Sequence, residues 1–226
     1  MSTVKAVINS NKKNIKSEYF IHGNTLLLVN SQKVTNIDFN SLKKKIEKNI
    51  PNRLFRDLDW IYVGDFPELK SREVGSAYLR GAIYISDENQ TQDSLFSSII
   101  HELAHSIESS FKEYLYGDNE IAEEFVIKRK KLKEIFKANN LFFEDPSVYI
   151  RTEYNPQFDE FLYKTVGYDR LNILCVGLFS SAYGTTSLRE YFANGFEHFY
   201  LHDRNYLAKI SPKLFLKISK LTKKAE

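Results

Sequence analysis

The 226-residue sequence holds one cysteine, Cys175, one tryptophan and one methionine. A lone cysteine excludes an intrachain disulfide framework. Its position in the apolar run 171–179 points to a buried, unreactive thiol. No stretch reaches the ~20 consecutive apolar residues of a membrane-spanning helix. The opening MSTVKAVINSNKKNIKSEYF lacks the apolar segment and small-residue cleavage site of a secretory leader. A cytoplasmic protein is therefore the default expectation, unless export follows another route. A net charge of +3 is too small to argue for a nucleic-acid partner. No repeat, linker or low-complexity tract interrupts the chain.

What is present is an ordinary globular composition, 42% apolar and 27% charged, with an excess of Phe (17) and Tyr (14) that suggests an aromatic core. The length suits one domain over residues 1–226, with about 1–16 polar and frayed. Tyr19–Ile21, the turn His22–Asn24 and Leu26–Val29 read as strand, turn, strand. Asp38–Ile50 reads as a helix stopped by Pro51, and Leu58–Val63, Ser76–Leu79 and Ala82–Ser86 as strands. Leu95, Ile99, Leu103 and Ile107 then set a helical period over 92–111. Further helices are expected from Asp118 to Asn139, near 157–166, from Ser187 to His202 and from Pro212 to Leu221; 171–179 cannot be typed. Strands followed by helices make the fold class α+β, with a small mixed sheet in the N-terminal half and a mainly helical C-terminal half.

In the middle of the strongest helix stands His101-Glu102-Leu103-Ala104-His105, an HExxH pattern. Residues four apart project from one helical face, so both imidazoles can reach one ion at Zn–N distances of about 2.0–2.1 Å. Glu102 can lean toward the open coordination position as general base. The pattern arises by chance in roughly one chain in a hundred of this composition, which favours one bound zinc ion over a coincidental histidine pair.

A catalytic zinc needs a third protein ligand. The metzincin pattern would place Gly at 108 and His at 111; Glu108 and Phe111 exclude it. Glu108 would ligate only on a sharply bent helix, so it is expected behind the ligands or in solvent. On the helix from Ser187, Glu190, Asn194 and Glu197 share a face amid Phe192, Ala193 and Phe196. Glu190 is the stronger third ligand, and Asn194, one turn on, could accept a hydrogen bond from a liganding histidine.

HELAH followed by YGTTSLREYFANGF resembles the anthrax lethal factor-like zinc peptidases, which include that toxin's catalytic domain and the secreted Pro-Pro endopeptidases. The resemblance covers about fifty residues and implies a zincin-like fold and an endopeptidase acting on a peptide or protein substrate. It implies Glu190 as the zinc ligand and Tyr183, seven residues earlier, as the donor that steadies the oxyanion. Two departures stand out. Asn194 replaces the glutamate usual in that family, and the interval from His105 to Glu190 is lengthened by about 112–170, read as a helical insertion. Zincins bind extended peptides along an edge strand, and Ala82, Ile83 and Tyr84 fall where that strand is expected.

Two other readings remain at the level of sequence. One is a cytosolic regulatory protease resembling the ImmA/IrrE type, which shares HELxH and a downstream glutamate. The other is a non-catalytic, zinc-stabilised binding protein, for which neither Glu102 nor Tyr183 is needed. The basic runs Lys128–Lys131 with Lys133 and Lys137, and Lys213, Lys217, Lys220 and Lys224, read as solvated helix faces. His198 and His202 read the same way. The sequence leaves the oligomeric state and the cleaved bond unspecified.

Overall fold

The computed structural model describes residues 16–223. The frayed N-terminal stretch expected at about 1–16 lies, but for Lys16, outside the described residues, as does Lys224. The fold is α+β, and the chain divides into two compact units, 1–107 and 108–226.

The first unit carries a mixed five-stranded sheet in the order β1-β2-β3-β5-β4. Its strands are β1 (Ser17–Ile21), β2 (Thr25–Asn30), β3 (Trp60–Gly64), β4 (Ser76–Leu79) and β5 (Ala82–Ser86). Both hairpins turn through paired left-handed residues, which match the strand twist. These are His22 and Gly23 (φ 51° and 79°) after β1, and Arg80 and Gly81 (φ 49° and 82°) after β4. Helix α1 (Phe39–Asn49) supplies the crossover from β2 to the parallel β3. It starts where the Asp38 carboxylate accepts from the Ser41 N–H at 3.0 Å, and it buries Phe39, Leu42 and Ile46.

Register aligns Leu27, Ile61 and Ile83 on one face of the sheet and Leu28, Tyr62 and Tyr84 on the other. The second face is an aromatic row, with Tyr62 stacked on Trp60 at 5.9 Å and on Tyr84 at 5.3 Å. Phe66 and Leu69, at the short helix α2 (Pro67–Ser71), pack into that row. Such rows need β-pairing between residues distant in sequence, which alternation alone does not reveal.

Helix α3 (Gln92–Ser110) follows β5 and continues into the second unit through its last turn. It opens on a reciprocal cap: Ser94 N–H donates to Thr91 Oγ1 at 3.1 Å, and Thr91 N–H to Ser94 Oγ at 2.8 Å. Leu95, Ile99, Ile100, Leu103 and Ile107 are at most 1% exposed, so one face of the helix is locked by packing.

The second unit is helical: α4 (Lys112–Tyr116), α5 (Glu120–Ala138), α6 (Pro156–Glu160), a π-helical stretch Phe161–Val166, α7 (Tyr168–Leu174), α8 (Leu188–Leu201), α9 (Arg204–Ile210) and α10 (Pro212–Thr222). The expected insertion at 112–170 is largely helical, and α7 takes the first part of the untyped run. Phe125 of α5 lies against Phe179 and Tyr191, while Phe136, Phe143 and Phe158 cluster about Phe161. Cys175 is 1% exposed, and burial pushes its thiol up to about 12, as expected of an unreactive cysteine.

The basic run on α5 departs from the expected solvated face. Lys128 and Arg129 are buried, whereas Lys130, Lys131 and Lys133 are exposed. Lys128 Nζ donates to the carbonyls of Leu178 and Ile210 and to Ser211 Oγ, tying chain ends that lack helical partners. Arg129 lies against the Phe125 and Phe158 rings and donates to the Arg151 carbonyl at 3.2 Å. Lys217 of α10 is buried as well, donating to the Tyr114 carbonyl and to Asp118. A charge run records composition and not which of its members finds carbonyls to cap.

No helix among the described residues is long and apolar enough to cross a membrane. α8 and α10 approach closely at Gly195 of α8, where an added Cβ would stand 2.3 Å from Leu214 Cδ2 and 3.1 Å from its Cγ. Gly195→Ala is accordingly expected to cost about 1–3 kcal/mol through overpacking. Urea unfolding measures this, and an unchanged midpoint would show that α8 and α10 are not in such close contact.

Candidate metal centre

The two histidines come from the polar side of α3, opposite the stripe that locks it. Their rings are 5.0 Å apart and nearly perpendicular, at 85°. His105 is 5% exposed and His101 intermediate. Glu102 is buried at 5% exposure and accepts a hydrogen bond from Ser76 Oγ of β4 at 2.7 Å. A carboxylate removed from water needs such a partner. Sequence reasoning missed Ser76, because nothing local links a strand serine to a helix residue 26 positions away.

The strand expected at the sheet edge is not at an edge. Ala82, Ile83 and Tyr84 lie in β5, which is interior, parallel to β3 on one side and antiparallel to β4 on the other. Its backbone groups are taken by the ladder. Among the described residues the sheet's edges are β1 and β4, and Ser76 at the start of β4 reaches Glu102. Alternation marked both strands; the hairpin that folds β4 over β5 decides which one is outermost.

In the second unit, α8 starts at Ser187, whose Oγ accepts the Glu190 N–H at 3.1 Å. The Leu188 N–H donates to the Thr152 carbonyl at 2.8 Å, so the 146–155 segment braces this first turn. Arg189 Nε lies 3.5 Å from Glu108 Oε2, and Tyr116 donates to Glu108 Oε1 at 2.7 Å. Burial first, then the neighbouring Glu108 carboxylate, raises the Tyr116 phenol far above its ordinary value. Glu108, expected behind the ligands or in solvent, is thus held by Tyr116 and Arg189. Neither partner was anticipated.

Asn194, expected to accept from a histidine ring, is occupied otherwise. Ser181 Oγ donates to its Oδ1 at 2.5 Å, and its Nδ2 donates to the Glu190 carbonyl at 2.8 Å. The amide serves α8 itself and the 181–184 turn that leads to it. Tyr183 lies on a short 3₁₀ turn, Tyr183–Thr185, and is 40% exposed. The His198 and His202 rings lie 4.9 Å apart, tilted by 39°, and burial, then the nearby His202, holds the His198 imidazole below its ordinary range.

His101, His105 and Glu190 form a group that could hold a metal ion: each offers one ligand atom, and the three atoms lie within 4.8 Å of one another. A tetrahedral ion with bonds near 2.0–2.1 Å asks for donor separations of about 3.3 Å. Two imidazoles and one carboxylate match the softness and geometry of zinc better than an all-oxygen site for calcium or magnesium would.

No family model, curated protein or solved structure matches the chain.

Titration with Co²⁺, followed by its visible absorption, is expected to load one ion per chain at this group. His105→Ala should abolish the signal and Glu190→Gln should weaken binding roughly 10-fold or more, as loss of a direct ligand requires. Unchanged loading in both variants would place the metal elsewhere.

Proposed function

We propose that the chain is a zinc-dependent endopeptidase, with His101, His105 and Glu190 holding one zinc ion and Glu102 acting as general base. The observation that carries this reading is the His-His-Glu group, with the buried carboxylate of Glu102 next in sequence to one of its imidazoles. Three protein ligands and an open fourth position are the arrangement of a catalytic zinc. Bound there, zinc would lower the pKa of water and polarise a peptide carbonyl.

The chain's own residues then divide the work. Ser76 fixes Oε1 of Glu102, leaving Oε2 to take the proton of the attacking water and pass it to the departing amine. Tyr183 donates its hydroxyl to the oxyanion as the carbonyl becomes tetrahedral, the role implied by the resemblance to the anthrax lethal factor-like peptidases. The extended substrate pairs with the outer edge of β4, which is an edge strand among the described residues and begins at the serine that orients the base. The mixed sheet, the HExxH helix and a glutamate from a later helix are together consistent with a zincin-like arrangement.

Glu102→Gln is expected to bind zinc like the wild type and to lose about 10²–10⁴ in peptide hydrolysis, read by mass spectrometry on a peptide library. Full activity in that variant contradicts the mechanism. Tyr183→Phe is expected to lower kcat about 100-fold with KM little changed, since the bond it removes forms only in the transition state. An equal loss carried by KM would instead make Tyr183 a ground-state binding residue.

A further inference from the structure

Tyr183 projects from a turn of three residues and is substantially exposed, so its own backbone does little to aim it. Donation to a developing oxyanion demands placement within about 0.5 Å. The Tyr168 ring meets it edge to face, with centroids 6.3 Å apart. Tyr168 is in turn held by its hydroxyl, which donates to Asp159 Oδ1 at 2.7 Å. The other oxygen of Asp159 accepts from Tyr154 at 2.6 Å. One carboxylate thus fixes two phenols at once.

The local sequence builds this bracket deliberately. Asn155 caps α6 by accepting the Phe158 N–H at 2.7 Å, setting Asp159 in the first turn. The chain then widens into the π-helical stretch Phe161–Val166, and Gly167 at φ 79° redirects it so that Tyr168 returns toward Asp159. Full π-turns are rare and occur disproportionately at functional sites. Tyr163, from within that stretch, flanks Tyr168 at 5.9 Å. Burial, followed by the Asp159 bond, pushes the Tyr154 phenol up to about 12 and raises that of Tyr168, so both stay protonated donors at neutral pH.

We infer that Asp159 is a positioning residue for Tyr183, acting through Tyr168, and that the segment about 112–170 is in this part a component of the active site and not a separate appendage. The inference rests on the reading of Tyr183 as the oxyanion donor. It assigns to Tyr154 and Tyr168 the presentation of ring surfaces, because both hydroxyls are spent on the carboxylate.

The test uses the full zinc-loaded chain and a peptide that the wild type cleaves from the library. Asp159→Asn is expected to lower kcat roughly tenfold, with KM within about twofold, and Tyr168→Phe to follow it, keeping the ring while losing the bond. In a Tyr183→Phe background the Asp159→Asn effect should vanish, because the two residues act through one group. With ¹³C-labelled tyrosine, the NMR signal missing from Tyr183→Phe should shift in both Asp159→Asn and Tyr168→Phe. Unchanged kcat, effects that multiply in the double variant, or an unmoved Tyr183 signal would each overturn the inference. A zinc-loaded wild type that cleaves nothing would count against the peptidase itself, and the Tyr183 signal alone would then decide the role of Asp159.

Discussion

Helix α3 has to do two things with one backbone, and the 3.6-residue period is what lets it. Its apolar residues recur on one side and are sealed at 1% exposure or less, so the helix can neither roll nor slide. The opposite side, held still by that packing, presents His101 and His105 a single turn apart with rings 5.0 Å from each other. Loss of the stripe would loosen the ligand pair before any ligand was touched. Glu102 inherits the same rigidity, and Ser76 of the edge strand fixes its carboxylate from outside the helix. Glu102 and both imidazoles therefore share one rigid support, beside an edge strand of the sheet.

The second unit aims its residues by a different means, through hydrogen bonds at segment ends. Ser187 caps α8, the Thr152 carbonyl receives the Leu188 N–H, and Glu108 draws in Arg189 on the same turn. Glu190 is thus the carboxylate on a turn braced from several sides. Burying Lys128 and Arg129 is the cost of this architecture, since desolvation opposes their charge and pulls Lys128 down to about 8. Three acceptors around Lys128 offset that cost, Arg129 is met by one carbonyl and two aromatic faces, and together they bind segments that no continuous helix joins. A buried cation of this kind specifies an arrangement more than it stabilises one.

Much of the fold was legible where a signal is local and repeated. The boundaries of α1, α3, α8 and α10 fall within a few residues of their sequence expectations, because caps, prolines and long apolar periods mark them. Short helices such as α2 and α9, with a turn or two of period, were not anticipated. His101, Glu102, His105 and Glu190 could be named from spacing and residue type. Ser76, Arg189, Tyr116 and Asp159 could not, since each acquires its place through a partner distant in the chain or on another element. The same reason explains why β5 was mistaken for the edge and why Lys128 was read as solvated: pairing order and burial are properties of the assembled unit.

The central claim is a zinc ion held by two imidazoles and a carboxylate, with one position open for water. X-ray absorption spectroscopy of the zinc-loaded chain addresses it most directly. The account predicts four light-atom ligands at about 2.0–2.2 Å, outer-shell scattering from two imidazoles, and a change in first-shell count in Glu190→Ala. A spectrum with fewer than two imidazoles, or with a sulfur ligand at about 2.3 Å, would contradict it.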